Sequence, residues 1–473
     1  MAYQTKKNRH IWLSIVSGIL LWFAWPDNIF GFLLHLALIP LLIIESELTS
    51  RYYKKPALRY FLSLLLTFAV WHTLSILSGN TGNITVSDIF LNSCMMTVPM
   101  MLFFFTKRAS GQIAGYFSYI IYWIAFEYLM LHWNISGPWP ILGNGFASLP
   151  YLVQWYEVTG QQGGSLWVLC SNLILFHTIK TGYINNVGIA LFSFLFILPA
   201  GSSILRYLTY NISGQPARVA ITYPGIKNDT IGNSQKRSEQ DTFVLKDQQD
   251  QINVIIQAPH LLSDKTAGGA SSTSEECRHF DIKSITNASF YPDYLLFSRI
   301  RADKSDAGSL FVSSDKHYGL KKSENFRHIS VCTKNSTRIG IMSGNELISG
   351  EPVTAHIRKG IQFIFLITEA APRLSRTAQG QYARLRSIET RRDILLSSEE
   401  AVTGYINQKG DYIRIPALSP EKNRVIRDNI RLNTRATFYA KYGDYIGISS
   451  FYFALICIFI LFGGLLVKRT NFI

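Results

Sequence analysis

Apolar runs of membrane-crossing length crowd the first 205 residues of this chain, and one more lies near its end, at 446–467. Between them stands a long polar stretch that no bilayer interior would hold. A membrane helix needs about 20 mainly apolar residues, because a helix rising about 1.5 Å per residue must cross a hydrocarbon core about 30 Å thick. Eight segments meet or approach that requirement: 10–26, 29–45, 57–78, 86–106, 115–133, 164–180, 183–204 and 446–467. The first two are short and adjacent, and read as a hairpin broken at Trp25-Pro26-Asp27-Asn28. The expected organisation is a seven-span membrane region over 1–205, a soluble domain over 206–443, and a last span with its tail over 444–473.

Charge fixes the expected orientation. Lys6, Lys7 and Arg9 precede the first span, Arg51, Lys54, Lys55 and Arg59 lie between the second and third, Lys107 and Arg108 follow the fourth, Lys180 follows the sixth, and Lys468 and Arg469 follow the eighth. The alternate loops, 79–85 and 134–163, contain no Lys or Arg. Basic loops stay cytoplasmic. Both termini are therefore expected in the cytoplasm and residues 206–443 outside it. No small-residue cleavage site follows the first apolar run, so it reads as a retained helix. Much of the +15 net charge lies beside apolar spans. No basic stripe interleaves with aromatics, so nucleic acid is not an expected partner. Cys277 and Cys332 fall in the soluble stretch and are able to pair in an oxidising compartment, though nothing in their spacing demands it. No Cys/His cluster points to a metal. Glu127 is the main charge within a span; its place near a helix end points to an interfacial role.

The soluble stretch alternates strand-like runs with helical patterns, which predicts a layered α/β fold. The runs 217–224, 252–259, 308–314, 328–332, 338–344 and 361–368 read as strands, 352–360 and 381–396 as helices, and 401–413 as a hairpin turning at Lys409-Gly410. Segments 226–250 and 263–276 read as flexible. The loop 134–163 is long, aromatic and rich in Gly and Pro. It reads either as a lipid entrance, with Trp139, Pro140, Gln154, Trp155 and Glu157 as candidate lipid or substrate contacts, or as a packed interfacial loop.

Several motifs occur in order within this layout: PW…GNGFASLP…QWYEVTG…GGSLWV over 138–168, GNELISGEPVTAHIRKGIQFIFLITE over 344–369, ARLRSIETRR over 383–392 and GYINQKGD over 404–411. In these the chain resembles the apolipoprotein N-acyltransferases. The resemblance implies about eight spans in the bacterial inner membrane, with an inserted extracytoplasmic nitrilase-like domain, an α-β-β-α sandwich. It implies no cofactor and no metal. It also implies acyl transfer from a membrane phospholipid to the N-terminal amine of a diacylated lipoprotein, through a Glu–Lys–Cys triad. In that chemistry a thiolate attacks the acyl ester, a carboxylate moves protons, and a cation with backbone N–H groups stabilises the oxyanion.

The chemistry residues depart from the family pattern. Anchoring on Ile348, Gly350 and Glu351 puts Gly344 at the nucleophile position, with the acidic neighbour Glu346 kept. Pro259 matches the proline of the base motif, and His260 then stands where the glutamate belongs. Lys316, Lys321 and Lys322 compete for the lysine role, and each reads equally as part of a solvated loop. Ser343 and Cys332 are the nearby substitute nucleophiles; a one-residue shift on a strand turns a side chain to the other face. The leading expectation is a catalytically degenerate family member that binds phospholipid, diacylated lipoprotein or another membrane protein. The alternative is an active N-acyltransferase with a relocated nucleophile. A transporter fits the span count but little else.

Overall fold

The structure is a computed structural model. It describes residues 2–25, 30–50, 53–78, 85–132, 140–180, 186–223, 254–261, 294–300, 307–313, 329–332, 338–368, 376–398, 402–414 and 424–470. The segments expected to be flexible, 226–250 and 263–276, lie outside these residues.

The N-terminal helices are α1 (Ala2–Phe23), α2 (Leu34–Ala37), α3 (Ile39–Ser50), α4 (Pro56–Leu77), α5 (Val86–Ser110), α6 (Gln112–His132), α7 (Tyr156–Lys180) and α8 (Asn186–Thr209). Six described helical stretches are long and apolar enough to cross a membrane: Gly31–Thr49, Pro56–Leu77, Val86–Ser110, Gln112–His132, Asn186–Thr209 and Tyr445–Phe462. Two of the eight expected segments, in α1 and α7, are not among them. Helix α1 reaches back over Lys6, Lys7 and Arg9, and the first turns of α7 carry Glu157, Gln161 and Gln162, with both glutamines buried.

The expected span over 29–45 is not one helix. A short 3-10 turn over Gly31–Leu33 leads into α2, and α3 starts anew at Ile39 with Pro40 behind it. Pro40 has no N–H to give, which suits the first turn of a helix. Asn172 of α7 bridges the break: its side chain accepts from the Leu38 N–H at 2.9 Å and donates to the Leu34 carbonyl at 2.8 Å. Charge placement also differs from expectation. Lys107 does not sit in a loop; it lies inside α5, buried, and pairs with Glu45 of α3. Its ammonium sits 4.4 Å from the centre of the Tyr116 ring. Glu127 is not interfacial either: it is buried, and its Oε1 accepts from the Trp123 indole and the Leu142 N–H, each at 2.9 Å.

Two sheets follow. The first has the order β11-β1-β2-β3-β4, from β1 (Gln215–Tyr223), β2 (Val254–Leu261), β3 (Tyr294–Ile300), β4 (Ala307–Ser313) and β11 (Arg424–Leu432). The second has the order β10-β9-β8-β7-β6-β5, from β5 (Ile329–Cys332), β6 (Arg338–Ser343), β7 (Phe363–Thr368), β8 (Ile394–Ser398), β9 (Val402–Ile406) and β10 (Tyr412–Arg414). Strands β6, β7 and β8 are parallel. Parallel strands are covered on both faces, and this centre obeys the rule. Ile364, Leu366, Ile394 and Leu396 join a core with α9 (Gly350–Arg358) and α10 (Arg376–Thr390), while Phe363, Phe365 and Leu395 alternate with them and are also buried.

The predicted helix over 381–396 is corrected at both ends. It starts at Arg376 and stops at Thr390, because Arg391 takes the left-handed region (φ 51°), and the next residues pair as β8. Arg392 secures the stop by donating to the carbonyls of Thr390, Arg391, Ile361 and Arg435. Helix α11 (Phe438–Tyr442) then leads into α12 (Tyr445–Thr470), the last apolar helix.

The loop expected over 134–163 is mostly interior where it is described. Turns over Leu142–Phe146 and Pro150–Leu152 are followed by α7 from Tyr156, which bends at Gly160. Gly160 sits at φ +64°, and a Cβ there would lie 2.2 Å from the Tyr439 ring of α11. Gly160→Ala therefore combines backbone strain with a clash. It is expected to destabilise the protein by roughly 2–4 kcal/mol, read as a fall in melting temperature in detergent, whereas Ala substitution at the open Gly201 is expected to leave it unchanged.

Candidate active site and its membrane-domain support

Strand β6 runs out at Ser343, and Gly344 opens a 3-10 turn over Gly344–Leu347. The carboxyl ends of parallel strands are where α/β proteins gather their reactive groups. Gly344 opens this turn and brings no side chain to it. Leu347 anchors the turn in the core. Ser349 caps α9, its hydroxyl accepting from the Glu351 N–H at 3.3 Å.

The turn is held from the membrane side. Asn144 donates to the Ile348 carbonyl at 3.4 Å, and His132 at the end of α6 meets Glu351 at 2.5 Å. The hydrogen bond from His132 holds the Glu351 carboxyl below its ordinary range. Behind the turn lies a buried polar knot. Arg386 of α10 donates to Gln161 Oε1 at 2.7 Å and to Asn144 Oδ1 at 3.2 Å, and pairs with Glu389 at 3.3 Å. Burial pushes the Glu389 carboxyl up to about 7, against the pull of Arg386. Asp444 is likewise raised by burial, to about 6. Gly350 lets the turn close on this knot: a Cβ there would stand 2.6 Å from both Glu389 Oε2 and the Tyr439 hydroxyl.

The other residues singled out from the sequence are distributed as follows. Gly344 belongs to the six-stranded sheet, and His260 lies on β2 in the five-stranded sheet, paired in register with Arg299 after an irregularity from Gln257. Glu346 sits half-buried in the turn itself. Lys316, Lys321, Lys322, Trp139 and Cys277 lie outside the described residues. Cys332 ends β5, opposite Arg338. Pro140 is half-buried just before the first turn of the loop.

Gln154 and Glu157 are engaged by the β-domain. Arg391 donates to Gln154 Oε1 at 2.7 Å and to Glu157 Oε2 at 2.7 Å, and the Gln154 amide reaches the Lys409 carbonyl at 2.9 Å. Trp155 is half-buried and donates its indole N–H to Leu152. Sequence reasoning missed the roles of Asn144, Gln161 and His132. The available signal was a set of amide and imidazole side chains in a loop and helix end with no Lys or Arg, matched by an arginine-rich helix far along the chain. Among the described residues no group of three His, Cys, Asp or Glu side chains is placed to hold a metal.

The raised Glu389 carboxyl has a pH consequence. Below pH 4.5 it is neutral in folded and unfolded chains alike. Between pH 4.5 and about 7 the unfolded chain gives up its proton first, so stability falls as pH rises, and above about 7 the full loss is in place. Asp444 adds the same trend from its ordinary value up to about 6. Glu389→Gln is expected to flatten this fall by an amount on the order of a few kcal/mol, seen in melting temperatures across pH 4.5–8. An unchanged slope would refute the assignment.

Comparison with known proteins bears on the same elements. Residues 17–174 match the family described as Apolipoprotein N-acyltransferase N-terminal domain, a span that holds Asn144, Gln154 and Gln161. The chain is 27% identical over 229 residues to the "Apolipoprotein N-acyltransferase" of Chlorobaculum tepidum, an alignment covering 46% of this chain and 42% of that protein. The chain thus matches less than half the length of this relative. The crystal structure of Saccharomyces cerevisiae Nit3, a member of branch 10 of the nitrilase superfamily, aligns with 50% of this chain and 97% of its own at 12% identity, with a TM-score of 0.31, too low to establish a shared fold. Over residues 17–174 the chain is thus similar to the N-terminal domain of the apolipoprotein N-acyltransferases.

Proposed function

We propose that this protein has kept the framework of an apolipoprotein N-acyltransferase and lost its covalent chemistry, so that it binds phospholipid or diacylated lipoprotein without transferring an acyl chain. The observation that carries this reading is Gly344 at the carboxyl end of β6, where the attacking sulfur of the family pattern would stand. No thioester can form on a residue without a side chain. His260 in place of the carboxylate base supports the same reading. The framework, by contrast, is intact: the turn is capped by Ser349, tied to Asn144 and His132, and backed by Arg386 and Glu389.

In this reading the chain crosses the bacterial inner membrane eight times. Both termini face the cytoplasm, and residues 206–443 form a nitrilase-like domain on the periplasmic face, as the basic loops of one side argue. Helices α1 and α7 would cross as members of the bundle. Buried contacts to α3, α4 and α6 would offset their lower hydropathy.

The test is a purified full chain supplied with phospholipid donor and a diacylated lipopeptide acceptor. The expected result is lipopeptide binding with no N-acylated product, and no acyl adduct on the protein by intact mass spectrometry. Robust transfer that survives Cys332→Ala and Ser343→Ala would overturn the degenerate reading. Transfer abolished by one of those substitutions would establish the alternative, an active enzyme with a relocated nucleophile.

A further inference from the structure

Where α8 leaves its apolar stretch and turns toward β1, it meets the tip of the β9–β10 hairpin. Three features coincide there. The first is unneutralised positive charge. Arg206, Arg384, Arg391 and Lys409 stand against Glu157 and Asp411, four cations to two carboxylates. Glu157 is shared by two arginines, with Arg206 Nε at 3.0 Å and Arg391 Nε at 2.7 Å. Asp411 is taken by the Tyr207 hydroxyl at 2.6 Å and the Asn407 amide at 3.0 Å. The Lys409 ammonium rests 5.3 Å from the Tyr207 ring centre, and no carboxylate pairs with it among the described residues.

The second feature is aromatic. The Arg206 and Arg391 guanidinium groups lie 5.1 and 4.3 Å from the centre of the Tyr210 ring, and Trp155 stands half-buried nearby on the chain segment that carries Glu157. Such rings collect at the headgroup level of a bilayer. The third is apolar. Leu205 and Leu208 flank Arg206 on α8 with most of their surface open, on a helix apolar enough to cross the membrane. Arg206 itself is 48% exposed at the same level.

We propose that this corner is a seat for an anionic phospholipid, on the membrane face that carries the β-domain. Arg206 and Lys409 take the headgroup phosphate, Tyr207 and Tyr210 wall it, and Leu205 and Leu208 lie along the acyl chains. A basic pair beside an apolar helix face complements a lipid that carries both a phosphate and hydrocarbon. A free anion would leave the leucines unanswered. The seat is separate from the Gly344 turn and stands whether or not the protein transfers acyl groups, so its failure and that of the proposed function are read in different assays.

The test uses the full chain purified from membranes and exchanged into detergent with equal phosphatidylglycerol and phosphatidylethanolamine, with retained lipid read by native mass spectrometry. Retention of phosphatidylglycerol over phosphatidylethanolamine is expected, and the Arg206→Gln/Lys409→Gln protein should retain roughly tenfold less of it. Lys409→Gln alone, which removes no side-chain hydrogen bond among the described residues, keeps the test open if the double variant fails to fold, and should lower retention severalfold. Equal retention of the two lipids, or unchanged retention in the variants, would overturn the proposal. So would displacement of the lipid by millimolar inorganic phosphate, which would mark a soluble-anion site.

Discussion

The guanidinium groups of one helix and of the residue that ends it make the densest polar junction between the β-sheets and the N-terminal helices. Arg384, Arg386 and Arg391 reach from the β-domain to the segment before α7 and the first turns of α7, and meet Ser148, Asn144, Gln161, Gln154 and Glu157. Arginine suits such a junction, because its planar fork satisfies several acceptors at once and its charge is more weakly hydrated than that of lysine. The same helix packs on two cores. Tyr382 and Ala383 belong to the core of the six-stranded sheet, and Leu385 and Ile388 to the core of the membrane helices. The helix is a shared wall, and the turn at Gly344 is positioned by both cores together.

A second constraint of charge lies within the membrane bundle. Lys107 and Glu45 are both buried and paired, with the Tyr116 ring over the ammonium. Such a pair gains little over apolar residues of the same volume, but leaving either partner alone is strongly unfavourable. It therefore fixes the register of α3 against α5 more than it adds stability. Glu127 ties α6 to the interior loop by a hydrogen bond, not an ion pair, accepting from the Leu142 N–H.

Much of the fold is legible in the sequence because it is written in local periodicity. The strand runs 217–224, 338–344 and 361–368 appear as β1, β6 and β7, and the Lys409-Gly410 hairpin joins β9 to β10. The overlong helix prediction at 381–396 fails for a physical reason: Arg391 adopts a backbone conformation that nothing in its side chain advertises, and the following Ile-Leu-Leu run is held by strands on both sides. Strands β3 and β11 are absent from the expected set; in RVIRDNIRL the apolar–polar alternation is clear only over Ile430-Arg431-Leu432. That the turn after β6 opens on a glycine can be read from residue order alone. The polar knot behind it cannot, since a hydrogen bond between Arg386 and Gln161 joins positions 225 residues apart.

That separation carries a consequence for biogenesis. Glu157 and Arg391 stand 234 residues apart, so a ribosome delivers the acceptor long before the donor. Until the β-domain has been made and has folded back, Gln154, Asn144 and Gln161 lack the arginine donors they meet in the complete fold. When α10 docks, it completes two cores at once.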